Sequence, residues 1–320
     1  MSCEDGPPWY ATDPDTGRID ILGIPEQLKS HPEILRHGLV LFEPAKPGVV
    51  FTTNREEKPC HVVKVLKPDS EERSIYEYLL QQDLASPNHT VPCELSTLGH
   101  PLLFMPFVSR LVILRPRGKP GWTSYELLGL FLQLTEGIEF LHRHHIAHMD
   151  YCYSNTLIAQ SYDLVNDKRL VDGKLYIIDF DWARRFKDGP GVQRAITLTP
   201  TQIEPPNGLK HFDPYSWDIY CLGHVCRDII RVRRHDIGKE YTYRIAQWYA
   251  SWLMGNEHGC TGVCRCRPTA RHARRVLGLL RSFAYVLDLC WGWTLPVRWA
   301  LGRIGAACSG FRTALFTWPS

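Results

Sequence analysis

Apolar and polar positions are patterned differently in the two halves of the chain. Three short β-branched runs, "LVLF" (39–42), "VVFTT" (49–53) and "HVVKVL" (61–66), are separated by Pro, Gly and charged residues, which predicts an antiparallel meander. A helical pattern follows over 70–82, with Ile75, Leu79 and Leu80 on one face and Ser70 in the N-cap position. The runs "TVPCELSTLG" and "PLLFMPFV" bring the expected sheet to about five strands. Beyond residue 120 the period changes. Apolar residues at 127, 128, 130, 131, 134, 138 and 141 predict one long buried helix, opened by a capping box of Thr123 and Glu126. Two strand-like runs, "TLIAQ" (156–160) and "KLYIIDF" (174–180), flank a polar turn; a helix at about 216–232 and weaker helical patterns follow. A small β-rich half therefore precedes a larger helical half, which is an α+β arrangement.

Composition adds limits. With 320 residues, 44% hydrophobic and 22% charged, the chain suits a globular protein with a sizeable core. A net charge of +3 gives no argument for nucleic acid. Eleven cysteines without a paired framework, and an N-terminus lacking basic and apolar signal regions, point to reduced thiols in the cytoplasm or nucleus. From Arg265 onward there are nine Arg and one acid, Asp288, interleaved with Trp. The tail from 281 is expected to dock on the helical part or extend from it, with membrane contact the less favoured reading. Residues His258, Cys260, Cys264 and Cys266 are soft ligands, but so tight a grouping reads as loop thiols before a zinc site.

The candidate chemistry sits at the junction of the halves. "HMDYCYSN" (148–155) spaces Asp150 and Asn155 on one loop, and "IIDFD" (177–181) puts Asp179 at the end of an apolar strand. With "DIYCLG" (218–223) and "RPTA" (267–270) in the same order, the chain resembles a eukaryotic-type protein kinase domain of the divergent fungal type, over roughly residues 38 to 280. The resemblance implies a two-lobed fold, with a leader over 1–37, an N-lobe over 38–107, a C-lobe over 108–280 and a tail over 281–320. It implies Mg²⁺-dependent transfer from ATP to Ser or Thr hydroxyls of a protein substrate.

By resemblance, Asp150 would orient the acceptor hydroxyl, and Asn155 and Asp179 would hold the metal. Lys64 would bind phosphate and pair with Glu72, Lys67 and Glu77 being their rivals. Met105, with Phe104 as its alternative, and Phe107 would line the adenine site, where the 104–110 backbone would bond the base. Asp218 would anchor the catalytic loop, and Glu204 would pair with Arg267. The pattern is also broken in places. "EPAKPG" stands where a glycine-rich loop is expected, Met149 and Cys152 replace an Arg and a Lys, and Asp181 replaces a Gly. Asp181 is expected either on metal or paired with Arg184 or Arg185. Two alternatives follow: an inactive scaffold of the same fold, and a small-molecule phosphotransferase of the aminoglycoside or choline kinase type, which shares the Ile-Asp-aromatic-acid pattern.

Overall fold

The structure, a computed structural model, describes residues 6–289 except Asp69, Ser86, 112–121, 207–208 and 256–261. The chain opens with a hairpin of β1 (Ala11–Thr12) and β2 (Ile19–Asp20) and two short helices, α1 (Glu26–Lys29) and α2 (Pro32–Arg36). The meander then forms, with its first strand displaced toward the turn from the run read at 39–42: β3 (Leu41–Lys46), β4 (Val50–Thr53) and β5 (His61–Val65). After helix α3 (Glu72–Leu80) come β6 (Glu94–Leu95) and β7 (Leu102–Pro106). The five strands make one antiparallel sheet in the order β3-β4-β5-β7-β6.

Strand alternation divides the sheet between two apolar clusters. Val63, Val65, Leu102 and Phe104 face Trp9, Leu28 and Ile34, so the segment before β3 covers one side of the sheet. Leu103 and Met105 face the opposite way, onto Ile75, Tyr76 and Leu79 of α3. Helix α3 starts at Glu72, inside the pattern read over 70–82. Glu71 occupies the N-cap without a side-chain cap, and the Ser70 hydroxyl donates to the Lys67 carbonyl. Tyr76 is buried on its inner face, while Leu80 is only partly covered.

The helical part is built on α4 (Ser124–Arg143), whose capping box forms and whose seven expected apolar positions are all buried. Short strands follow: β8 (Ile146–Ala147), β9 (Thr156–Ile158), β10 (Leu175–Ile177), β11 (Arg184–Arg185), β12 (Ile196–Thr197) and β13 (His211–Phe212). They pair as β9 with β10, β8 with β11 and β12 with β13, each antiparallel. Helix α5 (Pro214–Val232) is capped by Asp213, which accepts from the amides of Tyr215 and Ser216, so it starts slightly before the expected boundary. It packs on α6 (Glu240–Met254). Gly223 makes that approach possible, since a Cβ there would lie 2.9 Å from the Ala250 carbonyl oxygen.

A further helix, α7, runs from 270 to 289 and carries the first residues of the tail. Its Asp288 accepts from Lys239, Tyr241 and Ser124, which ties α7 to the starts of α6 and α4. Residues 290–320, on which the expectation of membrane contact largely falls, lie outside the described residues. No described helix is long and apolar enough to cross a membrane. The molecule is thus mixed, with a small sheet-bearing part and a larger helical part, as the α+β expectation has it.

Candidate functional site

The site grows from three local features. The first is a buried charge cluster. Strand β5 presents Lys64 on the face of the sheet turned away from Trp9, and the abrupt start of α3 places Glu72 in that helix's first turn. The Lys64 ammonium donates to Glu72 at 2.7 Å and to Asp179 at 2.5 Å. Burial works against the Lys64 charge, but the two carboxylates outweigh it and hold its pKa above the ordinary lysine value. Burial likewise pushes Asp179 upward, and Lys64 with help from Lys46 and His148 overcomes it, leaving Asp179 below the usual carboxylate range.

Asp179 follows β10 with φ 66°, a conformation that a non-glycine residue holds only when its surroundings dictate it. Phe180 supplies part of that support, buried edge-on to Tyr76 at 5.0 Å and beside His148 at 5.1 Å.

The second feature is the loop 148–155. Asp218, buried in α5, accepts from the amides of His148 and Met149, both at 2.8 Å, and faces His142 at 2.9 Å. The Trp217 indole donates to the Met149 carbonyl at 2.7 Å. These bonds hold Met149 at φ 65° and fix the direction in which Asp150 leaves the loop. The Asn155 side-chain nitrogen donates to the Asp150 carbonyl at 3.0 Å, so its own carbonyl oxygen is the atom left to present. Both Asp150 carboxylate oxygens are occupied: Gln202 donates to one through its backbone amide at 2.7 Å and to the other through its side chain at 3.0 Å.

The third feature is space. A cavity of about 640 Å³ is lined by Asp150, Asn155, Asp179 and Asp181 from below and by Lys46 and Val50 from the sheet. A second cavity of about 520 Å³ adjoins it, sharing Val50 and Ile178 and lined by Val62, Met105, Phe107 and Leu157. Polar and apolar compartments therefore lie side by side, which suits a ligand with a charged end and a flat apolar end. Along the 104–110 segment the Phe107 amide donates to Cys60 and the Ser109 amide to Asp163, while Pro106 has no donor. Among the described residues the Val108 amide has no such bond. The Phe107 carbonyl accepts from Asn166.

Compared with protein-family models and with curated proteins, the chain finds no match.

The geometry sorts the candidates read from the sequence. Asp150, Asn155 and Asp179 share one cavity wall, and Met105 and Phe107 line the neighbouring one. Lys64 stands behind Asp179 as its ion-pair partner and is itself paired with Glu72. The rivals go elsewhere: Lys67 bonds Asp181 at 2.7 Å, and Glu77 pairs with Arg73 at 2.9 Å. Asp181 therefore meets a lysine, and neither Arg184 nor Arg185. Phe104 points the other way, into the cluster around Trp9, because it alternates with Met105 along β7. The expected Glu204–Arg267 pair is absent among the described residues. Arg267 donates to the Met254 carbonyl and lies 5.0 Å from the centre of the Tyr220 ring, and Glu204 is exposed. His258 and Cys260 lie outside the described residues. Among the described ones, no group of three His, Cys, Asp or Glu could hold a metal.

Sequence reasoning missed Gln202, Lys46 and Trp217. Gln202 carries no motif signal, since its bond to Asp150 joins residues 52 apart in the chain. Lys46 had a signal in hindsight, as the last strand residue before a Pro-Gly turn.

A divalent ion can be tested against this donor set. Mg²⁺ takes oxygen ligands and retains several waters, so it rarely needs a complete protein cage. The Asn155 carbonyl and the Asp179 carboxylate oxygen not bonded to Lys64 are two hard donors on one wall, and they fit such an ion.

Proposed function

We propose that the protein transfers the γ-phosphoryl group of ATP to a hydroxyl of a protein substrate, on a kinase-like fold of two lobes that meet at the paired cavities. The observation that carries this reading is the convergence of Asp150, Asn155 and Asp179 on one cavity, with Lys64 clamped between Glu72 and Asp179 behind it. The apolar compartment lined by Met105 and Phe107 would take the adenine, with the Val108 amide as its donor. Lys64 would turn from Asp179 toward the phosphates. Asp150 would orient the acceptor hydroxyl as its oxygen bonds the γ-phosphorus, the bond to the β-phosphate oxygen breaks, and ADP leaves. The hydroxyl proton would pass to Asp150 or solvent. Asn155 and Asp179 would hold Mg²⁺, which when bound neutralises charge on the phosphates. The preference for Ser or Thr rests on the sequence resemblance.

One observation favours the second reading, an inactive scaffold. Gln202 covers both oxygens of Asp150, so an acceptor must first displace it. Asp150→Asn separates the two readings. If the protein is a transferase, the variant retains Mg²⁺-ATP binding, measured by thermal shift, while the rate of labelled phosphate transfer to polypeptide falls by about 10²–10⁴. Wild-type protein that binds ATP but transfers nothing, to polypeptides or small alcohols, is the scaffold.

A further inference from the structure

The sheet lines the polar cavity with Ala45, Lys46 and Val50, which border the turn Lys46-Pro47-Gly48-Val49 between β3 and β4, and the hydrogen-bond donors of that turn can be counted. Pro47 has no N–H. The Val49 amide closes the turn by donating to the Lys46 carbonyl at 3.0 Å. Gly48 sits at φ 73°, as the third residue of a Pro-Gly type II turn requires. Its carbonyl accepts from the Trp9 amide at 2.8 Å, and a Cβ there would lie 2.7 Å from Pro8 and 3.0 Å from the Tyr10 ring. The N-terminal segment is thus pressed onto the turn from outside. Of Pro47, Gly48 and Val49, only Gly48 has an uncommitted amide among the described residues. A single amide does not make the concave nest of donors by which glycine-rich backbone holds an anion.

Sheet register shows what stands there in its place. Lys46 pairs with Val50 across β3 and β4, and Val50 pairs with Lys64 across β4 and β5. Directly opposed residues in neighbouring strands share a face at a Cα spacing of about 5 Å. Lys46, Val50 and Lys64 therefore form a row facing the cavity, which Lys46 and Val50 line and where Lys64 reaches Asp179. Lys64 is already engaged by two carboxylates. Lys46 is exposed, forms no ion pair among the described residues, and lies close enough for its charge to favour ionised Asp179.

We propose that Lys46 is a polyphosphate-binding residue of this site, contacting the β- and γ-phosphates of a nucleotide from the sheet side in the role that backbone amides cannot fill. The proposal rests on the phosphotransfer reading and adds to it the source of anion recognition in the roof. The Lys46 side chain has no ion pair among the described residues, so Lys46→Met is expected to fold as the parent does. ATP, ADP and AMP are titrated with Mg²⁺ against wild type, Lys46→Met and Lys46→Arg by calorimetry. A charge-assisted contact to phosphate corresponds to about a tenfold loss or more in ATP affinity for Lys46→Met. The loss is smaller for AMP, which lacks the β- and γ-phosphates, and Lys46→Arg restores most of it. Unchanged ATP affinity in Lys46→Met, or equal losses for ATP and AMP, overturns the role of Lys46 while leaving the site's nucleotide binding intact. Failure of wild type to bind any of the three at millimolar concentration overturns both readings together.

Discussion

At the scale of residues, the site is a balance of charges taken out of water. Glu72 is fully buried, with one oxygen on Lys64 and the other without a partner. Removing one member of a buried ion pair costs about 3–5 kcal/mol, because the partner keeps its desolvation penalty without the compensating charge. Lys64→Met should therefore lower the unfolding midpoint as well as nucleotide affinity, which by itself says little about binding. Adding Glu72→Leu removes the stranded carboxylate, so the double variant should regain most of the stability. ATP affinity should stay low in both, because no cation has returned to meet the phosphates. Denaturant titration and calorimetry on the two variants measure these effects separately. A double variant that recovered ATP binding along with stability would show that Lys64 serves only the packing of α3. Gln202 belongs to the same balance, since it satisfies lone pairs on both carboxylate oxygens of Asp150.

At the scale of elements, α5 fixes the loop that bears Asp150. Asp218 answers two consecutive loop amides and the His142 ring from a fully buried position. Asp218→Asn keeps the shape but turns one acceptor into a donor, setting it against an amide N–H or against His142. An unsatisfied buried donor costs about 1–3 kcal/mol, and Met149 loses support for its positive φ. On the proposed function we expect faster hydrogen exchange at 148–150, lost transfer and nearly unchanged ATP binding, since the compartment lined by Met105 and Phe107 draws on β5, β7 and β9 instead. Unaltered exchange at those amides would refute the anchoring role.

Much of this organisation is legible in the sequence where it is local. The capping box of α4, its apolar stripe and the β3–β5 meander depend on neighbours within a few residues and form in the order read, although β3 lies at Leu41–Lys46 instead of 39–42. Asp218 was legible too, through the resemblance of "DIYCLG" to a helix that anchors such a loop, and its bonds to the 148–149 amides form. What escaped was decided across the fold. Ser70 yields the N-cap of α3 because its hydroxyl turns back to Lys67. Phe104 and Met105 are equally apolar, and only strand phase assigns one to each face. Lys46 becomes a site residue through the register of three strands, and Gln202 through a segment whose own pattern is irregular.

At the scale of the whole molecule, the same burial that shapes the site sets a pH dependence of stability. His31, His61, His144 and His224 all have their proton affinity lowered, in each case first by burial. His224 is the clearest. Burial and the adjacent Arg227 bring its pKa from 6.5 to about 4, and its Nδ1 lies 2.8 Å from an Arg227 nitrogen, geometry that suits a neutral ring accepting from the guanidinium. The sign follows from linkage. Between these two values the unfolded chain binds a proton that the folded chain refuses, so the contribution of His224 is fully present above pH 6.5 and is lost as the pH falls toward 4. Asp179 acts in the same direction at lower pH, because its folded value lies below the ordinary 3.8. Burial raises Glu72 and Asp213, which therefore oppose the trend by binding protons more tightly when folded. A bare stability curve would mix these contributions, and His224→Gln separates one of them. Glutamine keeps an oxygen that can accept from Arg227 and cannot itself be protonated. Denaturant unfolding at pH 7.0, 5.5 and 4.5 should show the wild type losing more stability with acid than the variant, with most of the divergence below pH 6.5. Parallel curves for the two proteins would mean that the ring is protonated in the folded state as readily as in the unfolded one.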